Sequence, residues 1–220
     1  MPGIIAALRL QRNGRKVTVE MVGAESFSLS LPLADGLHPG QALEESAIEE
    51  LTGRERLETA YRRCLSLIAR RPRSRTELER YLRARKTEDE AAQEVLRRLT
   101  ERGLLDDRDF ARQWVENRQA FRPRSRRALQ AELRRLGVAE PDARDALSSV
   151  RENDAAVAAA RKKAARLYSS VRGTPKPRQN FENKMTAFLA SRGFDFDLAR
   201  ETARTVWQDT ADPARHEGEA

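Results

Sequence analysis

Two histidines, one cysteine and several paired carboxylates are the first side chains to test for chemistry in this 220-residue sequence. His38 sits in a proline-glycine turn and His216 in a polar tail. Neither lies near a nucleophile or a carboxylate pair, and no Cys/His set has the spacing of a zinc site. No G-x-x-x-x-G-K-[ST] loop is present to cradle a nucleotide. The pairs Glu44-Glu45, Glu49-Glu50 and Asp106-Asp107 read as helix surface or caps. No catalytic residue, metal or cofactor is expected. Cys64 stands at helical spacing from Ala60, Leu67 and Ile68, which makes it a buried apolar side chain rather than a reactive thiol. A single cysteine forms no intrachain disulfide and fits a reducing, cytoplasmic compartment.

Arginine supplies the remaining chemistry. Its planar fork suits phosphate and carboxylate oxygens, and the pentapeptide "RPRSR" occurs twice, at 71–75 and 122–126. Pro72 and Pro123 end a helix, and Ser74 and Ser125 are natural caps for the next. In the first copy Glu77 completes a capping box. The flanking arginines serve none of these purposes and stand near a helix start, where the dipole disfavours cations. Arg71, Arg73, Arg75, Arg122, Arg124, Arg126 and Arg127 are therefore candidate contacts. Arg134, seven residues after Arg127, and the later Lys176 and Arg178 join the same set. The charge distribution agrees: net charge is +8, but residues 54–136 alone carry 24 basic and 14 acidic groups. A basic zone favours nucleic acid or an acidic protein surface. The competing reading is a solvated helical surface in an arginine-rich chain.

These residues need a scaffold. Residues 1–53 read as a small β unit. Asn13-Gly14 is a hairpin turn, Val17, Val19 and Met21 alternate with polar residues, and so do Phe27, Leu29 and Leu31. After the Pro39-Gly40 turn, Leu43, Ala47, Ile48 and Leu51 predict a short helix ended by Gly53. From Glu55 the apolar period becomes 3.6. Leu78 and Leu82 align with Leu129 and Leu133, and more distantly with Met185 and Leu189; Lys86 aligns with Gly137 and Gly193. This predicts three three-helix repeats, over 54–105, 106–151 and 152–209, with a flexible tail at 210–220. The expected fold is mainly α, an elongated, curved tandem array behind a β-rich unit. In such an array equivalent corners fall along one edge.

The most specific stretch is "LTERGLLDDRDFARQWVENR" (99–118). Gly103 stops one helix in a left-handed cap, with Leu104 and Leu105 packing back beneath it. Asp106 or Asp107 caps the next helix, whose buried face is Phe110, Ala111, Trp114 and Val115. The run from Gly103 through Leu104, Leu105, Asp106 and Asp107 to Phe110 and Ala111 resembles the hallmark G-L-[IL]-D-D-x-x-F-A of the RecX family, regulators of the bacterial recombinase RecA. The resemblance extends over 57–209 and includes "SRTELERYL" and "LRRLGV"; Lys86 departs from a frequent glycine. It implies a non-enzymatic protein that binds the RecA–DNA filament and restrains its growth, ATP hydrolysis, strand exchange and co-protease activity, with weaker nonspecific binding to single- or double-stranded DNA.

The alternative is a nonspecific DNA-binding or helix-turn-helix-like regulator. Few Asn or Gln stand near the basic helix starts for adenine recognition. Aromatic residues are only 5%, and Tyr61, Phe110, Trp114 and Phe188 lie at core spacing rather than as a stacking platform. No apolar run reaches membrane-spanning length, no membrane partner is expected, and the protein is expected to be a monomer.

Overall fold

The computed structural model describes residues 3–12 and 14–211. Asn13, His216 and most of the expected tail lie outside them.

The chain forms two compact units. The first holds residues up to Arg73 together with Glu77–Leu105; the second holds Ser74–Thr76 and everything from Asp106. In the first unit, strands β1 (Gly3–Leu10), β2 (Lys16–Val22), β3 (Phe27–Ser30) and β4 (Ala42–Leu43) make an antiparallel sheet in the order β3-β2-β1-β4. Gly14 takes φ 64° in the β1–β2 turn. Alternation places Ile5, Val17, Val19 and Leu29 on the buried face. A short turn of helix, α1 (Leu31–Ala34), follows β3.

The expected short helix does not end at Gly53. Helix α2 runs unbroken from Glu45 to Ile68, so the predicted boundary at 53/54 falls inside it. Gly53 keeps a negative φ, and the helix is tied to the sheet two residues later. There the buried Glu55 carboxylate accepts from the Ser30 N–H at 2.6 Å and the Thr59 hydroxyl at 2.9 Å, and pairs with Lys16 at 2.8 Å. Burial alone would raise this carboxyl; the Lys16, Ser30 and Thr59 bonds outweigh it and hold the pKa at about 2. Leu43 belongs not to the helix but to β4, paired with Gly3.

Helices α3 (Arg75–Ala84) and α4 (Asp89–Glu101) complete the first helical triplet. The second consists of α5 (Asp107–Phe121), α6 (Arg126–Arg135) and α7 (Glu140–Leu147); the third of α8 (Glu152–Val171), α9 (Pro177–Ser191) and α10 (Phe196–Ala211). Each triplet encloses its own apolar cluster. The aligned pairs Leu78/Leu82, Leu129/Leu133 and Met185/Leu189 are at most 1% exposed, which is the predicted register. Cys64 is fully buried, and burial pushes its thiol up to about 11. In the third triplet Ala155, Ala156, Ala159, Ala160 and Ala164 form a small-residue face on α8 that lets α9 and α10 approach closely.

Candidate functional site

The repeated corner has a mechanical role that begins with hydrogen bonds. The Ser74 hydroxyl donates to the Leu136 carbonyl at 2.6 Å, and the Arg75 N–H donates to the Asp107 carboxylate at 2.7 Å. One repeat later, the Ser125 N–H donates to the Arg192 carbonyl at 3.2 Å, and the Arg126 N–H to the Glu152 carboxylate at 3.0 Å. Each corner thus seats on two features of the following triplet: the exit of its middle helix, and an acid opening its first helix. Gly137 (φ 81°) and Gly193 (φ 90°) make the seat. A Cβ at Gly137 would lie 2.0 Å from the Thr76 hydroxyl, and one at Gly193 would lie 2.5 Å from the Ser125 hydroxyl.

The hallmark stretch serves the same joint. Gly103 (φ 65°) ends α4, and the Leu104 N–H bonds back to the Leu99 carbonyl. Asp106 caps α5 by accepting from the Arg108 and Asp109 N–H groups at 2.9 and 3.0 Å. Asp107 is the acid that receives Arg75. Phe110 and Ala111 are buried; Leu105 is buried too, but Leu104 is 42% exposed, against expectation. The backward turn leaves room for one of the two leucines in the cluster of the first triplet, and Leu105 takes it.

The candidate arginines separate by partner. Arg71 and Arg73 both pair with Glu77, at 2.6 and 3.3 Å. Arg124 pairs at 3.0 Å with Glu132, a buried acid that also accepts from Trp114 Nε1 at 2.9 Å and Arg118 at 2.8 Å. The Arg126 side chain donates to the Val150 carbonyl at 2.7 Å. Arg178 pairs with Glu182 at 2.7 Å. Arg122, Arg127, Arg134 and Lys176 are exposed. Arg73, Arg75 and Arg124 are only half-exposed, so these corner arginines hold the fold as well as colouring its surface.

Sequence reasoning missed Arg192. Burial, then the positive fields of Arg124 and Arg122, lower its pKa. Its guanidinium donates to the Pro123 carbonyl at 3.2 Å and lies 4.6 Å from the Phe188 ring centroid. Lys162 reaches the Ala120 carbonyl, and Phe121, beside Arg122, is 71% exposed. The second corner therefore gathers cations that oppose one another, one of them stacked on Phe188, with the exposed Phe121 next to Arg122 in the chain. The available signal was the alignment itself, because Arg192 occupies the third-repeat position of Leu136. Such a cluster can neutralise a run of phosphates or carboxylates. Among the described residues no group of three or more acids, histidines or cysteines could hold a metal ion, and no helix is long and apolar enough to cross a membrane.

Comparison with known proteins agrees with the hallmark. Residues 60–99 match the family model for the first three-helix domain of RecX, and residues 106–147 that for the second. A regulatory protein RecX of Thermobifida fusca is 40% identical over 144 residues, covering 64% of this chain and 75% of the relative. One of Mycolicibacterium smegmatis is 38% identical over 152 residues, covering 66% and 78%. Among solved structures, the crystal structure of a regulatory protein RecX superposes with TM-score 0.61 at 22% identity, covering 96% of this chain and 99% of that one. RecX from Lactobacillus salivarius gives TM-score 0.54, also at 22% identity, over 69% and 96%.

Proposed function

The chain belongs to the RecX family of regulatory proteins, and from that premise we propose that it acts in the cytoplasm as a non-enzymatic inhibitor of the RecA recombinase. It binds the RecA–DNA filament and restrains filament growth, and with it ATP hydrolysis, strand exchange and co-protease activity. The observation that carries this reading is the family membership, and the second corner supports it. The Arg192 guanidinium donates to the Pro123 carbonyl at 3.2 Å, between Arg122 and Arg124 in sequence, and their positive fields lower its pKa. Cations held close enough to oppose one another gain most when an anionic surface approaches.

The test follows from which arginines are free of structural duty. Changing Arg124 or Arg126 would break the Glu132 pair or the Val150 contact and confuse lost binding with lost fold. The triple variant R122E/R127E/R134E alters exposed side chains only. It should keep the circular dichroism spectrum and thermal midpoint of the parent, and lose inhibition of RecA-driven ATP hydrolysis and strand exchange. Full inhibition by the triple variant would reduce these arginines to a solvated surface. If inhibition is lost while binding to naked DNA is unchanged, the arginines contact the recombinase rather than phosphate.

A further inference from the structure

The seat that receives a corner in the second and third triplets has a counterpart in the first. Subtracting the 51-residue repeat from Asp107, Leu136 and Gly137 gives Arg56, Arg85 and Lys86. All three line one groove of about 350 Å³ within the first unit. A β-sheet unit precedes this triplet in the chain, so the sequence supplies no helical corner to seat there. The chemistry of the seat is also reversed. Where Asp107 and Glu152 accept an N–H from an arginine-rich corner, position 56 is arginine. Where glycine leaves room for the corner, Lys86 stands at φ 55°. Lys16 and Arg63 add to the wall, giving five cations against the two carboxylates of Glu55 and Glu88.

Those carboxylates leave most of the positive charge available. Glu55 is already engaged by Ser30, Thr59 and Lys16. Glu88 meets Arg56 only at 3.6 Å, in a pair whose side chains are 65% and 70% exposed. An exposed pair of this kind is worth little and exchanges partners readily. Arg63 and Lys86 have exposed side chains.

We propose that this charge-inverted seat is a nucleic-acid site that binds the phosphate backbone of a single strand. The lining decides between polyanions. A tight peptide interface is usually centred on an apolar or aromatic anchor, and Ala60 and Ala91 are the largest apolar side chains here, which favours a nucleic-acid backbone over a peptide. Among the described residues no aromatic ring lines the groove, so bases are not stacked and the contact is to phosphate, independent of sequence. This inference rests on the preceding reading for the class of polymer alone. It concerns naked nucleic acid, so its test omits the recombinase.

The full-length protein is titrated into a fluorescein-labelled oligo-dT strand across a salt series, alongside R63Q/K86Q and the control R200Q/R204Q on α10. Glutamine removes the charge while keeping an unbranched polar side chain, and at position 86 it keeps the same backbone demand, so both pairs should fold as the parent does. R63Q/K86Q should flatten log K against log[salt] by about 1.4, or about 0.7 per lost phosphate contact, while the control leaves the slope unchanged. An unchanged slope in R63Q/K86Q overturns the site, as does equal flattening in the control. Displacement of the strand from the parent by poly-glutamate but not by polyphosphate, at matched ionic strength, would assign the groove to an acidic protein instead. Loss of the slope change together with intact recombinase inhibition rejects this site and leaves the regulatory reading standing.

Discussion

At position 86 a lysine occupies left-handed backbone, φ 55°, where the two later repeats use glycine. A side chain there costs roughly 1–2 kcal/mol, partly offset because glycine loses more freedom on folding. Lys86→Gly should therefore raise stability by about 0.5–1 kcal/mol, read as a higher urea midpoint at unchanged slope. Glu55 gives a second test at this scale. Its folded pKa lies near 2, below the ordinary 4.5. The stability it contributes is thus full above pH 4.5 and is lost as pH falls toward 2. Glu55→Gln should cost about 1.5–3 kcal/mol at neutral pH. The gap between variant and parent should close over that acid window in pH-dependent denaturation.

Among the elements, the joint between corner and seat is more demanding than any single helix. Gly137→Ala meets both a positive φ and Thr76 atoms at 2.0–2.8 Å. Gly14→Ala meets a positive φ but has nothing within 4 Å. Backbone strain with overpacking should make the first cost about 2–5 kcal/mol and the second about 1–2 kcal/mol, and equilibrium unfolding separates them. Equal costs would show that the Thr76 contact yields freely. What the sequence disclosed at this level was periodicity: the aligned leucines and Met185/Leu189 are core because a 3.6-residue stripe has one way to be buried. Local signals misled where tertiary bonds overrode them. Gly53 resembles a helix stop, yet the Glu55 anchorage to Ser30 and Lys16 carries α2 through it. The corner arginines resemble free surface, yet Arg73 and Arg124 are bound by acids four and eight residues further on. The Arg192 cluster joins residues about 70 apart, and no short window contains it.

On the scale of the molecule, each triplet has its own apolar cluster, and the two tryptophans report on different ones. Trp114 lies 5.8 Å from Phe110 between ring centroids, in the second; Trp207 lies 5.3 Å from Phe181, in the third. Phe110→Ala should remove about 3–5 kcal/mol from its own cluster. If stability is a sum of repeat and nearest-neighbour terms, the fluorescence transition in a Trp207→Phe background, seen by Trp114, should shift further than that in a Trp114→Phe background. Coincident transitions would mean that the two triplets unfold as one.

A corner that plugs into the triplet after it is a directional joint, and directional joints between identical chains propagate without end unless something stops them. The corner of the last triplet, between α8 and α9, carries Lys176 and Arg178, both exposed, and the first triplet presents Arg56 and Lys86. Plug and socket of two separate copies carry the same sign, so the joint that assembles one chain is refused between chains. Restoring the acid and the glycine, as R56D/K86G, removes that refusal and should yield species heavier than the parent protein in sedimentation. If the seat works as proposed, the charge inversion on the groove also disfavours end-to-end joining of copies, and sedimentation of R56D/K86G is its test.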